Sequence, residues 1–302
     1  MCSRKGRAAA RPFRLPALCL LVAVLACGCG TARRATTTRA PTERAATQQP
    51  ELRVGVVGPL RVDLQGVRVL RGSLAAVAGE PLVLVEAGAA SVDAVAASAR
   101  AHPDSQFALV GGSARAQDVP NLAGIVLEQG KAAYLAGVTA GLAAVDGGGD
   151  APRVAWVGPE ERELMTAFGR GVRAAAPGVA VLHQLSLAVP ARCKEAALTA
   201  LERDAVVVFA PRGLCAAAAA AGAHEQNRPA LRLRDFLLPG VAAATVVREA
   251  SAGIFHGGED VVFGPSTGAI GVRALDPRIS FSTAAKARAA AQQLAGGVTQ
   301  AG

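Results

Sequence analysis

Aromatic side chains are scarce in this sequence: they make up 3% of its 302 residues, with one tryptophan and one tyrosine. Cysteine is also scarce, and six cysteines in a chain of this length exclude a compact disulfide-stabilised miniprotein. Hydrophobic residues nevertheless make up 51% of the chain and charged residues 18%, which excludes a disordered polymer. The length permits one large domain or two lobes of ordinary size.

The part of the chain that is expected to fold lacks a basic surplus, although the net charge of the whole chain is +9. Residues 1–50 contain nine Lys or Arg and one Glu, so nearly all of the surplus lies there. Phosphate-driven binding needs a basic surface on the folded domain itself. The charge distribution therefore predicts no nucleic-acid partner.

Motifs for metal binding, nucleotide hydrolysis and covalent catalysis are missing. The four histidines have neither i, i+4 pairing nor cysteine partners, and there is no G-x-x-x-x-G-K-[ST] loop. The G-x-S-x-G pattern at 264–268 has no histidine after Ser266, so it predicts a turn, and an exported hydrolase is the weaker alternative. We therefore expect no enzyme activity, no cofactor and no metal.

The N-terminal residues predict an export signal and a tether. Residues 1–26 combine a basic start with an apolar stretch at 15–26 that is too short to span a bilayer permanently. The small residues before Cys27 are similar to the lipobox of bacterial lipoproteins, and Cys29 fits almost as well; two incidental cysteines in an ordinary signal peptide are the alternative. Residues 27–50 contain few large apolar side chains and predict a flexible stalk. We expect an exported protein, held by lipid at the outer face of the bacterial cell membrane.

Short apolar runs alternate with alanine-rich segments of helical length beyond the stalk. The runs with strand character lie at 52–57, 82–86, 107–110, 154–157, 179–185, 206–209, 241–248, 261–263 and 270–275. The segments with helical periodicity lie at 91–101, 131–144, 160–175, 191–203, 213–223 and 283–294. This alternation predicts an α/β fold with parallel sheets.

A glycine-rich break at 146–150 divides the pattern into two Rossmann-like lobes. We predict a first α/β lobe at 51–150, a second at 151–240, and a crossover at 241–302 that returns to the first lobe. The two lobes are expected to face each other across a gap that is lined by strand ends.

Three blocks then carry a family resemblance: PNLAGIVLEQGKAAYLAGVTAGLAA at 120–144, RVAWVGPEERELMTAFGRGVRAAAPGVAV at 153–181 and AVVVFAPRGLCAAAAAAG at 205–222. In order and spacing they resemble the basic membrane protein (BMP) family, the solute-binding lipoproteins of ABC importers that include purine nucleoside receptors. The family's small-aromatic-Leu-x-Gly motif is matched at 133–137, and its Phe-x-x-Gly motif at 168–171. The resemblance implies a fold like that of type I periplasmic binding proteins.

The chain departs from the family at its N-terminal lobe. The family's Asp-x-Ser-Phe-Asn-like ligand contact is absent after the first strand, and only one helical segment separates Val57 from Leu82. A shortened first lobe is therefore expected. Gly111 and Gly112 stand where the family tends to have Asp, and Val247, next to Arg248, stands where it tends to have Lys.

Ligands of open parallel sheets bind outside the carboxyl ends of the strands, where backbone N–H groups and helix N-termini are exposed. Phe209 is a candidate for stacking on a planar ligand, although a core position is the alternative. Arg212 and Arg234 are candidate donors, and Asp235 is a candidate acceptor. The alternatives are a solvated loop charge for Arg212 and, for Glu160, a role at the N-terminus of its own helix. The complete set of predicted ligand-binding residues is Gly111, Gly112, Gly158, Pro159, Glu160, Phe209, Arg212, Gly213, Arg234, Asp235 and Arg248.

Cys193 and Cys215 are the two cysteines outside the signal region. A parallel βαβ arrangement places both at the same edge of the sheet, and an exported compartment permits a disulfide. Two separate buried thiols are the alternative.

Taken together, the sequence predicts an extracytoplasmic solute-binding lipoprotein that captures a small polar molecule, for which a nucleoside is one candidate. It would need permease and ATPase subunits of an ABC importer as partners, because the chain lacks a nucleotide-hydrolysing loop. The alternative is a BMP-like lipoprotein that has lost its ligand and acts as an envelope interaction or regulatory module.

Overall fold

The structure is a computed structural model that describes residues 51–186 and 189–297. The predicted signal peptide, the stalk and the lipidation candidates Cys27 and Cys29 lie outside the described residues.

Two parallel β-sheets form the framework. The strands of the first sheet are β1 (Leu52–Val57), β2 (Val67–Arg71), β3 (Leu82–Glu86), β4 (Gln106–Val110), β5 (Leu122–Leu127) and β10 (Asp260–Phe263), in the order β10-β5-β4-β3-β1-β2. The strands of the second sheet are β6 (Arg153–Gly158), β7 (Ala180–Leu185), β8 (Ala205–Ala210) and β9 (Ala230–Arg232), in the order β7-β6-β8-β9. The predicted α/β class with parallel sheets is confirmed.

Eight α-helices connect the strands. They are α1 (Leu74–Val77), α2 (Val92–Ala101), α3 (Gln129–Asp146), α4 (Arg162–Ala175), α5 (Pro190–Glu202), α6 (Gly213–Glu225), α7 (Pro239–Ser251) and α8 (Phe281–Ala295) among the described residues. Short 3-10 helices occupy Arg115–Gln117, Leu233–Asp235 and Pro265–Thr267. The six strands predicted between 52 and 209 and all six predicted helices are present.

The segment 241–248, which was predicted as a strand, belongs instead to α7. Pro239 occupies the first turn of this helix, where its missing N–H costs nothing, and a run of three alanines follows. Its buried residues recur with helical spacing and pack against β3 and β4. The β-branched residues Val246 and Val247 are therefore buried core residues of a helix and not of a strand.

The strand predicted at 270–275 is also absent. Ile270 makes one isolated antiparallel bridge to Leu237, and the chain then continues without regular pairing. This bridge joins two of the segments that connect the sheets, because residues 233–238 follow β9 and residues 264–280 follow β10.

The first lobe has one strand more than was predicted between Val57 and Leu82, whereas the single helical segment predicted there is confirmed. β2 pairs in parallel with β1, and α1 occupies the connection to β3, although it has only four residues. The prediction missed β2, whose five residues VRVLR form a short edge strand in which arginines interrupt the apolar run.

α3 begins directly after β5, but it packs against the second sheet and, over most of its length, against α4. The two helices run in parallel, since Gly130 lies near Glu163 and Gly141 near Val172 and Ala176. α8 also packs against α3, whereas β10 pairs with β5 in the first sheet.

The largest apolar cluster contains residues of both sheets. Val56 of β1, Ile125 of β5 and Phe209 of β8 belong to it, together with the buried face of α3. The described residues consequently belong to one compact unit. Two smaller clusters lie under α2 in the first lobe and under α5 and α6 in the second.

Candidate functional site

The carboxyl ends of the strands in both sheets lead into the segments that connect the sheets. β5 continues into α3, β9 continues through residues 233–238 into α7, and β10 continues through residues 264–280 into α8. In open parallel sheets this edge is where ligands bind. The predicted site residues therefore have to be located relative to this edge.

A cavity of about 1270 Å³ opens where the N-termini of α3 and α4 come together. Apolar side chains of the first sheet form part of its wall, including Val126 of β5 and Val262 of β10. Five basic and three acidic side chains also line it: Lys131, Arg162, Arg170, Arg173, Arg212, Glu128, Glu161 and Glu163. The cavity therefore combines apolar walls with charged side chains, which carry a small positive surplus.

Arg212 is the only member of the predicted set that lines this cavity. It follows β8, is about half-exposed, and forms an ion pair with Glu161 at the start of α4. Arg162 pairs with the neighbouring predicted residue Glu160 at 2.7 Å, on the exposed surface. The Arg162–Glu160 pair is exposed and contributes little to stability, whereas the Glu161 side chain of the other pair is only 23% exposed.

Phe209 does not face a ligand gap. Its side chain is 0% exposed, stacks on Phe168 with ring centroids 4.7 Å apart, and lies 5.3 Å from Trp156. The alternation of β8 directs this ring into the core under α3 and α4. The prediction of a stacking contact is therefore wrong, and the core alternative is right.

Asp235 is buried, and its carboxylate is already occupied within the protein. It accepts hydrogen bonds from the backbone N–H of Arg232 and from the guanidinium of the same residue, at 2.9 to 3.2 Å. Asp235 thus stabilises the turn after β9 and is not an open acceptor for a ligand. Arg234 is exposed on the same turn and has no ion-pair partner among the described residues.

Arg248 lies far from the carboxyl edge along its helix. It is one turn from the end of α7, and the chain then leads to residue 258, whose N–H donates to Leu122 at the start of β5. Its guanidinium donates to Thr245 on the same helix. The prediction placed Arg248 in a strand, and the helix carries it to the amino edge instead.

The predicted glycines lie at strand ends. Gly158 ends β6 with a φ of +146°, and a side chain there would press on Pro211. Gly213 begins α6 with a φ of +68°. Pro159 follows Gly158, and its carbonyl oxygen accepts a hydrogen bond from the indole N–H of Trp156. Gly111 and Gly112 follow β4 and lie beside Ala87, which follows β3.

Glu86, at the carboxyl end of β3, was missed by the sequence analysis. Its Oε2 atom is buried and makes no hydrogen bond within the described part of the chain. Burial raises the pKa of Glu86, and the positive charge of Arg273 partly opposes that rise. Arg273 is exposed, and its backbone N–H donates to the carbonyl of Asp235.

Lys131, Tyr134 and Arg170 were also missed as cavity residues. Tyr134 is the aromatic residue of the small-aromatic-Leu-x-Gly motif at 133–137. Helical periodicity could have predicted Arg170 as a cavity residue. The helical repeat places it on one face of α4 with three other residues that line the cavity, Glu163, Ala167 and Ala174.

Cys193 of α5 and Cys215 of α6 form a disulfide with their Cα atoms 5.3 Å apart. Ser266 lies in a one-turn 3-10 helix after β10, and an irregular segment follows it. Within residues 51–186 and 189–297 no group of acidic, histidine and cysteine side chains has the arrangement of a metal site. In the same ranges no helix combines the length and the hydropathy that a bilayer span requires.

No protein-family profile and no curated protein sequence matches the chain. Solved structures do match it. An ABC transporter solute-binding protein from Conexibacter woesei superposes with a TM-score of 0.62 at 16% identity, over 83% of this chain and 98% of the other. A solute-binding protein from Aeropyrum pernix gives 0.53 at 15% identity, over 82% and 92%. A transcriptional activator of the comK gene from Bacillus halodurans gives 0.58 at 12% identity, over 80% and 97%.

These likenesses show the fold. The chain has the two-lobed α/β architecture of type I periplasmic binding proteins.

Proposed function

We propose that the chain is an extracytoplasmic solute-binding protein that captures a small polar molecule at the carboxyl edges of its two sheets and delivers it to an ABC importer. The observation that carries the proposal is the charged cavity of about 1270 Å³ between the strand ends and the N-termini of α3 and α4. Such clefts are the usual binding place in open α/β sheets. The resemblance to solute-binding proteins over nearly their whole length supports it.

The binding chemistry is reversible and needs no covalent step. Backbone N–H groups at two helix N-termini and the guanidinium of Arg212 would supply donors, and the glutamates at the same edge would supply acceptors. Binding between two lobes stabilises the closed arrangement in proportion to the difference in affinity between open and closed forms. A permease and an ATPase would then read the closed form and supply the energy of transport.

The export signal and the lipidation at Cys27 or Cys29 belong to the same proposal. A lipid anchor would keep the receptor at the outer face of the cell membrane, near its permease. In its more specific form, the proposal is that the chain belongs to the BMP family and that its solute is a nucleoside. The glycines of the two family-like motifs support the family, because they form the contact between α3 and α4.

A thermal-shift screen of residues 48–302 tests the proposal, since these residues include the compact unit. The library contains nucleosides, nucleobases, sugars and amino acids. A ligand at a hundredfold excess over its Kd adds about 2.7 kcal/mol to the free energy of unfolding. Arg212→Ala should weaken the response to a ligand, whereas Arg228→Ala, at an exposed loop before β9, is the matched control.

The second candidate, an interaction or regulatory module without a ligand, is favoured by two observations. The apolar cluster is continuous between the two sheets, and the side chains of Phe209 and Asp235 already contact other groups of the protein. In that case no compound of the library changes the melting temperature, and the radius of gyration in solution stays the same with every compound.

A further inference from the structure

Three basic side chains of the cavity have no partner within the described part of the chain. Of the five that line it, Arg162 and Arg212 are paired with glutamates. The side chains of Lys131, Arg170 and Arg173 line the same cavity, but they form no ion pair and no hydrogen bond within residues 51–186 and 189–297. Their positive charges are therefore available to a group from outside the chain.

The contact between α3 and α4 brings these three charges together. A Cβ at Gly171 would overlap the carbonyl oxygen of Tyr134, so Arg170, the residue before Gly171, lies level with Tyr134 on the other helix. Lys131 lies about one turn before Tyr134, and both side chains line the cavity. Arg170 and Arg173 are three residues apart, a spacing at which the Cβ atoms on a helix are about 5–6 Å from each other. Lys131, Arg170 and Arg173 therefore form one region of the cavity, which we call the basic wall.

The two helices do not themselves account for the basic wall. Lys131 lies in the first turn of α3, where the positive end of the helix dipole disfavours a cation. This turn has no acidic residue, and the N-cap residue Glu128 makes no capping hydrogen bond. Arg173 suits the last turn of α4, but the like charge of Arg170 beside it is unfavourable. A bound anion would offset both unfavourable effects.

The unpaired glutamates of the cavity lie where the two helices begin. A Cβ at Gly130 would be 3.7 Å from the Oε1 atom of Glu163, which places Glu163 beside the start of α3. The Oε2 atom of Glu128 lies against Gly264, where a Cβ would overlap it. Arg170 lies two turns beyond Glu163, or roughly 10 Å along the axis of α4. The acidic groups therefore leave the Arg170 end of the cavity positively charged.

The size of the cavity indicates an organic molecule and not an inorganic anion alone. Its volume of about 1270 Å³ exceeds the range of about 300–1,000 Å³ that is typical of small-molecule pockets. Val126 and Val262 are partners in register on β5 and β10, and both line the cavity. Val262 is 59% exposed, so this apolar surface is open to a ligand. A solute that fills the cavity therefore has an apolar part beside its charged group.

We propose that the basic wall is a subsite for the phosphate or carboxylate group of an organic anion, whose apolar part lies on Val126 and Val262. Phosphate and carboxylate share the chemistry that matters here, since both accept charge-assisted hydrogen bonds from guanidinium and ammonium groups. The inference rests on the proposed function and specifies the class of its solute. A neutral nucleoside would leave the basic wall unpaired, whereas its monophosphate would pair with it.

The experiment is a calorimetric and thermal-shift titration of residues 48–302 with pairs of probes that differ only in the anionic group. The pairs are adenosine monophosphate and adenosine, ribose phosphate and ribose, and phenylacetate and phenylacetamide. The first two pairs test a phosphate and the third tests a carboxylate. Each titration is made at low and at high ionic strength.

The variants change the charge of the cavity in both directions. Lys131→Gln and Arg170→Gln each remove a positive charge from the basic wall, and Glu163→Gln removes a negative charge from the same cavity. The matched controls are Arg288→Gln and Glu259→Gln, which remove the same charges at exposed positions that do not line the cavity. All five positions are exposed, so the ligand-free variants should melt close to the unmodified protein.

We expect the anionic member of at least one pair to bind about tenfold or more tightly than its neutral partner, as a hydrogen bond to a charged group implies. Lys131→Gln and Arg170→Gln should each weaken that binding by roughly tenfold, for the same reason. Glu163→Gln should strengthen it, and the control variants should bind as the unmodified protein does. High ionic strength should weaken binding of the anion and leave binding of a neutral probe unchanged.

Three results would overturn the subsite, and they are distinguishable from one another. If neutral probes bind as tightly as their anionic partners and Arg170→Gln changes neither affinity, the subsite is wrong while the solute-binding function stands. If an anionic probe binds but Lys131→Gln and Arg170→Gln leave its affinity unchanged, the anion is held elsewhere and the subsite is again wrong. If no probe of either kind binds, both the subsite and the proposed function are wrong.

Discussion

Gly137 of α3 and Gly171 of α4 each lie against the backbone of the opposite helix. A Cβ at Gly137 would overlap the carbonyl oxygen of Phe168 and lie 2.9 Å from its carbonyl carbon. A Cβ at Gly171 would overlap the carbonyl oxygen of Tyr134 in the same way. The two family-like motifs thus share one physical role, because their glycines let α3 and α4 approach closely and hold their N-termini together at the cavity.

Gly137→Ala and Gly171→Ala should each lower the free energy of unfolding by about 1–3 kcal/mol, since overpacking forces the helices apart. Gly169→Ala is the matched control, because a Cβ there would contact only the flexible end of Arg173 at 3.5 Å. The control should be neutral or gain up to about 1 kcal/mol of helix propensity. Urea unfolding followed by circular dichroism measures all three, and equal stability of Gly137→Ala and Gly169→Ala would contradict the close approach.

Phe209→Ala should lower the free energy of unfolding and leave the affinity for a solute unchanged. The ring is fully buried between Phe168 and Trp156, so its removal leaves a cavity and should cost about 3–5 kcal/mol. Leu214→Ala is the control on the following helix, where the side chain is 73% exposed and a change within about 0.5 kcal/mol is expected. Fluorescence of Trp156 during urea unfolding gives both values. If the variant lost little stability but bound the solute more weakly, Phe209 would be a ligand contact and not a core residue.

The contrast between α7 and the other helices shows which parts of the fold were predictable. Strands such as β3 and β8 are nearly continuous apolar runs, and a strand covered on both faces produces this pattern directly. Residues 241–248 are also apolar, but a short apolar run does not separate a strand from a buried helix. The run of alanines and Pro239 were the only local signals, and the packing of α7 on β3 and β4 decided the outcome.

The candidate site was harder to predict than the fold, for a physical reason. Sequence places Arg212 and Gly111 at strand ends, but it does not show which carboxylates are already paired. Asp235 was predicted as an acceptor for a ligand, but in the structure its carboxylate accepts hydrogen bonds from Arg232. The sequence does not distinguish Glu86 from any other residue at the end of a strand, whereas the structure shows that its Oε2 atom is buried without a hydrogen bond. Hydrogen-bond satisfaction is a property of three-dimensional packing, and spacing along the chain does not contain it.

Reduction of the disulfide between Cys193 and Cys215 should destabilise the second lobe. The bond joins α5 to α6 over a separation of 22 residues, and in the chain-entropy model such a bridge contributes about 3 kcal/mol. Dithiothreitol should therefore lower the melting temperature of the unmodified protein. The double variant Cys193→Ser with Cys215→Ser is the control, and an equal response to dithiothreitol in that variant would refute the effect.

Asp260→Asn should loosen the loop after β4. The carboxylate of Asp260 accepts hydrogen bonds from Ser113 and from the backbone N–H groups of Ala114 and Arg115. The variant should cost about 1–2 kcal/mol at neutral pH, as weakened hydrogen bonds to a charged group do. Asp63→Asn, at an exposed position, is the control.

The cost of Asp260→Asn should also depend on pH. Burial raises the pKa of Asp260, but the hydrogen bonds from Ser113, Ala114 and Arg115 outweigh it and leave the pKa below its ordinary value of 3.8. A lowered pKa means that the stabilising contribution is present above 3.8 and is lost as the pH falls through the folded-state pKa. Urea unfolding over a series of acidic pH values should show the two proteins converge, and a constant difference would contradict the assignment.

Glu86 should give the opposite pH dependence. Burial raises its pKa above the ordinary value of 4.5, with Arg273 opposing part of the rise, so the folded state favours the protonated form. Its contribution to stability is therefore complete below pH 4.5 and is lost as the pH rises through the folded-state pKa. Glu86→Gln keeps the shape of the side chain without the ionisation, so its stability relative to the unmodified protein should increase from acidic to neutral pH. Urea unfolding on both sides of pH 4.5 measures the trend, with Glu259→Gln as the control. A stability difference that stays flat would mean that the Glu86 carboxylate is hydrated in solution, and its missing partner would then be water.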